Sequence, residues 1–229
     1  MLALVSSLGL WLALSAEVDT AVSVDDREYL QKIMAETGLS PLPAQPSSQQ
    51  ETDFILAAQH AVLQLAPVDE ALPLDQPREP KDLYAARHGL CYDRSRVLEK
   101  LYRAAGFEAR HVSLYSLREH SLVAALLTPQ VSSHAVTEVR TARGWLLVDS
   151  NRRWTSLTAD GEPIPLARIQ AQSGAPLPRW DARNADMPKF YTEPFAAVYG
   201  LYSRHGRFYP PFNPIPDINW AEFRFNLGF

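Results

Sequence analysis

The segment from Val131 to Asp149 restricts the fold more than any other part of this chain. Val131 to Val139, VSSHAVTEV, alternates and is rich in β-branched residues, which reads as a strand with His134 near its start. Gly144 to Asp149, GWLLVD, reads as the next strand and ends on a carboxylate. Thr141-Ala142-Arg143-Gly144 between them reads as a hairpin turn. A chain with this hairpin must build an antiparallel sheet. Counting outward from a turn centred near residues 141–142 sets His134 approximately opposite Asp149, and same-face neighbours in such a pair touch.

Ahead of the hairpin lies a helix. Val97, Leu98, Leu101, Tyr102 and Ala105 recur at helical spacing, and Gly106 closes the run. Cys91, the one cysteine, falls in the first turn. Free backbone N–H groups and the positive end of the helix dipole favour an anion there. The anionic thiolate is the nucleophilic form of cysteine, and the same N–H groups can hold an oxyanion. Gly89 permits a tight approach to the helix. Asp93, two residues on, points to another helix face and compensates charge in the first turn. His134 is then the candidate base and Asp149 the group that orients it. Tyr84 and His88 are both candidates for a side-chain oxyanion donor, and spacing does not choose between them. His111 alternates with Ala109 on the following strand, where it packs or faces solvent. His60, His120 and His205 have no partner pattern.

The rest of the composition mainly excludes. A formal net charge of −4 over 229 residues gives no basic stripe for nucleic acid. Arg140 with Arg143, and Arg152 with Arg153, read as solvated loop charges. A single cysteine rules out an internal disulfide and any cysteine metal cluster. No His-x-x-x-His or acidic metal-loop spacing occurs, so no metal or cofactor is expected.

The chain reads as four parts. Residues 1–16, MLALVSSLGLWLALSA, are uncharged and shorter than the roughly 20 residues a spanning helix needs. They read as a signal peptide or N-terminal anchor without the usual basic start, which implies an exported, periplasmic or membrane-attached protein. Residues 17–80 read as helical with a linker. Ser23 to Asp26 resembles a capping box opening a helix that runs to about Thr37 and stops at Gly38. Ser40 to Gln50 is a Pro/Ser/Gln linker, followed by a helix over FILAAQHAVLQL capped by Thr52 or Asp53. Pro67 to Pro80 is an acidic, Pro-rich loop. Residues 81–160 form the core. Residues 161–229 are rich in Pro and aromatics and read as an irregular extension wrapped on that core. PPFNPIP at residues 210–216 can be neither a helix nor a central strand. Trp180, Tyr191, Tyr199, Tyr202, Phe208, Tyr209 and Trp220 read as anchors of this tail or as the lining of a groove.

Arg87 to Trp154 resembles the transglutaminase-like superfamily. Gly89-Leu90-Cys91, an apolar helix, and Gly106-Phe107-Glu108-Ala109-Arg110 leading into a strand are similar to its nucleophile segment. His134-Ala135-Val136-Thr137-Glu138-Val139 resembles its second motif. Gly144-Trp145-Leu146-Leu147-Val148-Asp149 resembles its third. All three stand in the family's order. Val136 departs from the usual aromatic there, and Ser150-Asn151 from the usual proline, which leaves the substrate contacts open.

The resemblance implies an α+β fold of the transglutaminase-like or papain-like kind, with the nucleophile helix packed on an antiparallel sheet. It also implies a Cys91–His134–Asp149 triad of a bacterial-type member. The implied reaction is acyl transfer through a thioester on a peptide, protein or other amide substrate, leaning towards hydrolysis. Three other readings stay open. One is an acyltransferase of the arylamine N-acetyltransferase kind, which Arg87-His88-Gly89-Leu90-Cys91 fits loosely. Another is a non-catalytic envelope protein that uses the fold to bind a glycan or partner. The third is a structural protein in which Cys91 is an inert core residue.

Overall fold

In the computed structural model, residues 17–73, 77–128, 131–171, 178–202 and 217–227 are described. Residues 1–16 and the PPFNPIP run, with His205, Phe208 and Tyr209, lie outside them. Among the described residues no helix is long and apolar enough to cross a membrane.

Helix α1 spans Val24–Thr37. The Ser23 side chain accepts from the Asp26 N–H while the Asp26 carboxylate accepts from the Ser23 N–H, and Gly38 ends the helix in the left-handed conformation. Helix α2 spans Ser48–Leu65 and is longer than the sequence suggested. Its cap is Ser47, reciprocally bonded to Gln50, so neither Thr52 nor Asp53 caps it. The capping box lay hidden inside a stretch whose composition reads as linker. A short helix α3, Pro80–Ala86, also goes beyond the sequence reading, and its Pro80 sits in the first turn, where a missing N–H costs nothing. Helix α4 is Cys91–Ala104.

Strand β1 (Ala109–Ser116) follows, then helix α5 (Leu122–Leu127), strands β2 (Ser133–Thr141) and β3 (Gly144–Asp149), helix α6 (Leu166–Ala171) and strand β4 (Phe195–Tyr199). The antiparallel sheet has the order β3-β2-β1-β4. Strand β4 pairs with β1 from Val112 opposite Tyr199 to Ser116 opposite Phe195. The irregular wrap expected of the tail therefore holds only in part, because the tail supplies the fourth strand. Its five residues, FAAVY, are too short a run to stand out beside the prolines, and pairing with β1 is what makes them a strand.

Both faces of the sheet are covered. Leu30, Ile55, Val62, Leu98 and Leu101 pack with Val139, Leu146 and Val148 on one side. Trp154, Ile164, Tyr191 and Phe195 pack with Val112, Leu114, Val136 and Leu147 on the other. Strands β1 and β2 accordingly carry buried residues on both faces.

One polar cluster sets the height of α4 on β2. The Ser95 hydroxyl donates to the Val136 carbonyl at 2.7 Å and meets Thr137 Oγ1 at 3.0 Å and His111 Nδ1 at 2.9 Å. Cys91 stands four helical residues before Ser95, roughly 6 Å along the axis. His134 stands two strand residues before Val136, roughly 6.6 Å. The two distances match, so the start of the helix comes level with His134.

The Ala-Arg and His-Ala-x-x-Glu patterns meet across the sheet. Arg110 and Glu138 are register partners, and the Arg110 guanidinium donates to Glu138 Oε2 at 3.0 and 2.8 Å. Trp145 and Tyr199 lie 4.1 and 4.4 Å from the guanidinium carbon. The Glu138 side chain is 0% exposed. Removing the cation would leave a buried, uncompensated carboxylate. Arg110→Ala should therefore cost about 3 kcal/mol or more. Arg140→Ala should cost less than about 1 kcal/mol, since the Arg140–Glu108 pair is solvent-exposed. Urea unfolding of both variants checks this; equal losses would contradict it.

Candidate active site

The hairpin turn is Ala142-Arg143, flanked by Thr141 and Gly144. Gly144 has φ 135°, which an L side chain rarely adopts. The register pairs Asp149 with Val136, so His134 lies two residues along on the same face and not directly opposite. Such diagonal neighbours remain within reach of long side chains. His134 Nε2 meets Asp149 Oδ2 at 2.9 Å. This leaves Nδ1 as the ring nitrogen that Asp149 does not engage, and Cys91 is near enough to contribute to the electrostatics of the ring.

The Asp149 carboxylate is saturated with donors. Oδ2 also accepts the Tyr191 hydroxyl at 2.5 Å. Oδ1 accepts the N–H groups of Asn151 and Arg152, each at 2.8 Å. Burial alone would raise its titration. The charge and hydrogen bond of His134, with the Tyr191 and Asn151 donors, hold it below the ordinary 3.8. For His134, burial opposes the charged ring, but Asp149 outweighs it and Cys91 adds to the effect, raising the ring to about 10. The imidazole is thus a cation at neutral pH.

Cys91 is half-buried at the first position of α4. The helix start is tied in place: Asp93 Oδ2 accepts the Leu90 N–H at 2.8 Å, and its Oδ1 accepts Arg78 Nη1 at 2.7 Å. Asp93 thus does more than balance first-turn charge, since it also closes the turn that presents Cys91. A Cβ on Gly89 would lie 2.6 Å from Leu83 Cδ1 and 3.1 Å from Asp93 Cβ. Glycine is needed here for close packing of α3 on α4, and the atoms crowding it belong to the protein itself.

Two side chains that no motif flagged hold the turn after Asp149. Gln59, 2% exposed on α2, donates Nε2 towards the carbonyls of Asp149, Arg152 and Trp154 at 2.8, 2.9 and 2.8 Å. Arg94, one turn after Cys91, donates to Asn151 Oδ1 at 2.8 Å and to the Ala66 and Val68 carbonyls. Tyr191 was legible only as one of several tail aromatics, because its partner is far away in sequence.

The structure does not bring Tyr84 or His88 to the cysteine among the contacts it records. The Tyr84 ring packs edge-on against Tyr29 and under Arg87, beside the Glu36–Arg87 ion pair. His88 Nδ1 meets the Glu70 carbonyl at 3.0 Å. His111 is buried, stacks on Tyr202, and is pushed down to about 3 by burial and then by Arg96, so it remains neutral. His60 is exposed on α2. A cleft of about 190 Å³ opens beside His134 and Asp149, walled by Ser133, Asn151, Arg152, Pro188 and Phe190. A larger cavity of about 460 Å³ lies between α1, α2 and the end of α4 and brings no nucleophile or base. Among the described residues no group of three His, Cys, Asp or Glu side chains could hold a metal ion.

A sequence profile of the transglutaminase-like superfamily matches residues 44–150, just under half of the chain and the stretch that holds all three side chains. The chain has a distant link to the transglutaminase-like superfamily. Curated proteins give no match to the sequence. Three solved structures are similar in part. A protein from Cytophaga hutchinsonii named as a candidate cysteine protease is 18% identical, with a TM-score of 0.41 over 62% of this chain and 42% of its own. The arylamine N-acetyltransferase of Salmonella typhimurium is 18% identical, with a TM-score of 0.34 over 53% of this chain and 44% of its own. The Rad4–Rad23 complex bound to a 6-4 photoproduct UV lesion is 11% identical, with a TM-score of 0.40 over 79% of this chain and 42% of its own. The chain spans less than half the length of each. Its transglutaminase-like segment coincides with α2 to β3, the part that positions Cys91, His134 and Asp149.

The His134 ring should stay doubly protonated at neutral pH and titrate near pH 10 in 15N NMR. Asp149→Asn should bring that titration down, because burial then acts with less opposition. The stabilisation that this raised titration contributes is complete below the ordinary 6.5 and is lost as the pH climbs to about 10. Urea unfolding should therefore become easier across that window. A wild-type ring titrating near 6.5 would contradict this account.

Proposed function

We propose that this protein is a cysteine enzyme that transfers an acyl group from an amide through a thioester at Cys91, with water as the acceptor. The observation that carries the reading is the buried His134–Asp149 bond, which leaves the free side of the ring to the sulfur at a helix start. The imidazolium presents positive charge to that sulfur, and a thiolate is the attacking form.

The reaction balances with these groups alone. The Cys91 sulfur attacks the amide carbon, a C–S bond forms, and the carbonyl electron pair moves to oxygen. The N–H groups at the start of α4, which have no intrahelical acceptors, face the resulting oxyanion. His134 gives its proton to the departing amine as the C–N bond breaks. It then takes a proton from water, which attacks the thioester. The C–S bond breaks, the acid leaves, and the thiolate–imidazolium pair returns. Asp149 keeps the ring oriented throughout.

The substrate class in this reading is a peptide, protein or other amide. The triad belongs to one catalytic unit, residues 81–160, to which the helical segment and the tail lend support. The uncharged leader goes with a protein exported to the periplasm or held at a membrane.

Alkylation of Cys91 by iodoacetamide reads the site without knowing the substrate. Wild type should react rapidly at neutral pH, His134→Ala at least about tenfold more slowly, and Cys91→Ala not at all. Asp149→Asn should also slow it severely. Equal rates in wild type and His134→Ala would reject the assignment.

A further inference from the structure

The Tyr191 ring is 1% exposed and sits in a 3-10 turn, Lys189–Thr192, just ahead of β4. It stacks on Trp154 at 4.8 Å with an interplanar angle of 27° and meets Phe195 edge-on at 6.2 Å. These contacts fix the ring, and a fixed ring fixes its hydroxyl. The hydroxyl is 2.5 Å from Asp149 Oδ2, the same oxygen that holds His134. Phenylalanine would fill the same apolar space, so packing alone gives no reason for the oxygen atom. Phe190, from the same turn, lies 6.0 Å from the His134 ring. We propose that Tyr191 is a positioning residue that locks the Asp149 carboxylate in the plane that orients His134, so that the chain beyond residue 160 completes the active site.

The inference rests on the acyl-transfer reading given above. Oδ1 is anchored by two backbone N–H groups, but with His134 as the one donor on Oδ2 the carboxylate and the ring could pivot together about that anchor. The Tyr191 hydroxyl, a second donor on Oδ2, removes that freedom. The phenol remains a donor at any working pH, because burial and then the Asp149 charge raise its titration well above the usual value.

The test compares the pH profile of iodoacetamide alkylation at Cys91 in wild type, Tyr191→Phe and Ile169→Val, with thermal unfolding of each. Tyr191→Phe should alkylate about tenfold more slowly at neutral pH. Its acid limb should move to higher pH, since a carboxylate that has lost a donor holds its proton more firmly. Ile169→Val trims the same apolar cluster without removing a bond to Asp149. It should lower the unfolding temperature and leave the acid limb in place. A Tyr191→Phe profile that overlies wild type, or an equal shift in Ile169→Val, overturns the inference. If wild type itself shows no difference from His134→Ala, the acyl-transfer reading fails instead. Should Tyr191→Phe not fold, 3-fluorotyrosine at position 191 decides. Its more acidic hydroxyl donates more strongly and should move the acid limb to lower pH, and an unmoved limb overturns the inference.

Discussion

A carboxylate almost cut off from water is the constraint around which this molecule is arranged. Asp149 is 1% exposed. An isolated buried charge of this kind is costly enough that it would take up a proton unless donors surround it. Asp149 meets four: an imidazole, a phenol and two backbone N–H groups. They come from strand β2, from the turn before β4, and from the residues just after Asp149 itself. Satisfying one charge therefore joins the hairpin, its following turn and the tail into one unit.

The same economy explains the N-terminal helices. A turn that offers N–H groups to a carboxylate leaves its carbonyls facing the interior. Those of Asp149, Arg152 and Trp154 find the Gln59 amide on α2. Arg94 does the complementary work, running from α4 to Asn151 and to the loop after α2. Because these donors have few alternatives in the interior, the turn has one low-energy arrangement. The distance from the cysteine to the histidine is set separately, by Ser95 locking α4 at one height on β2.

Some of this was legible before any coordinates. The hairpin follows from alternation and a short turn, although β2 runs Ser133–Thr141, two residues later at each end than the pattern over Val131–Val139 suggests. The capping box at Ser23 and the stop at Gly38 are local features, read from neighbours in sequence. The cap of α2 was missed although Ser47 and Gln50 are equally local, because the surrounding prolines and serines made the stretch read as linker. The one register detail that differs is that Asp149 faces Val136, so its bond to His134 runs diagonally.

What the sequence determined by itself is the local geometry: a cysteine opening an apolar helix, and a histidine and an aspartate on one face of a hairpin. Periodicity and turn chemistry act over a few residues, so they leave their mark in the linear order. What only the tertiary structure decided is the environment that gives the histidine and the aspartate their charge states. Tyr191, Gln59 and Arg94 reach the site from 42, 90 and 57 residues away from their partners. No local pattern encodes such meetings, because they arise only when the faces of sheet and helix close on one another and exclude water.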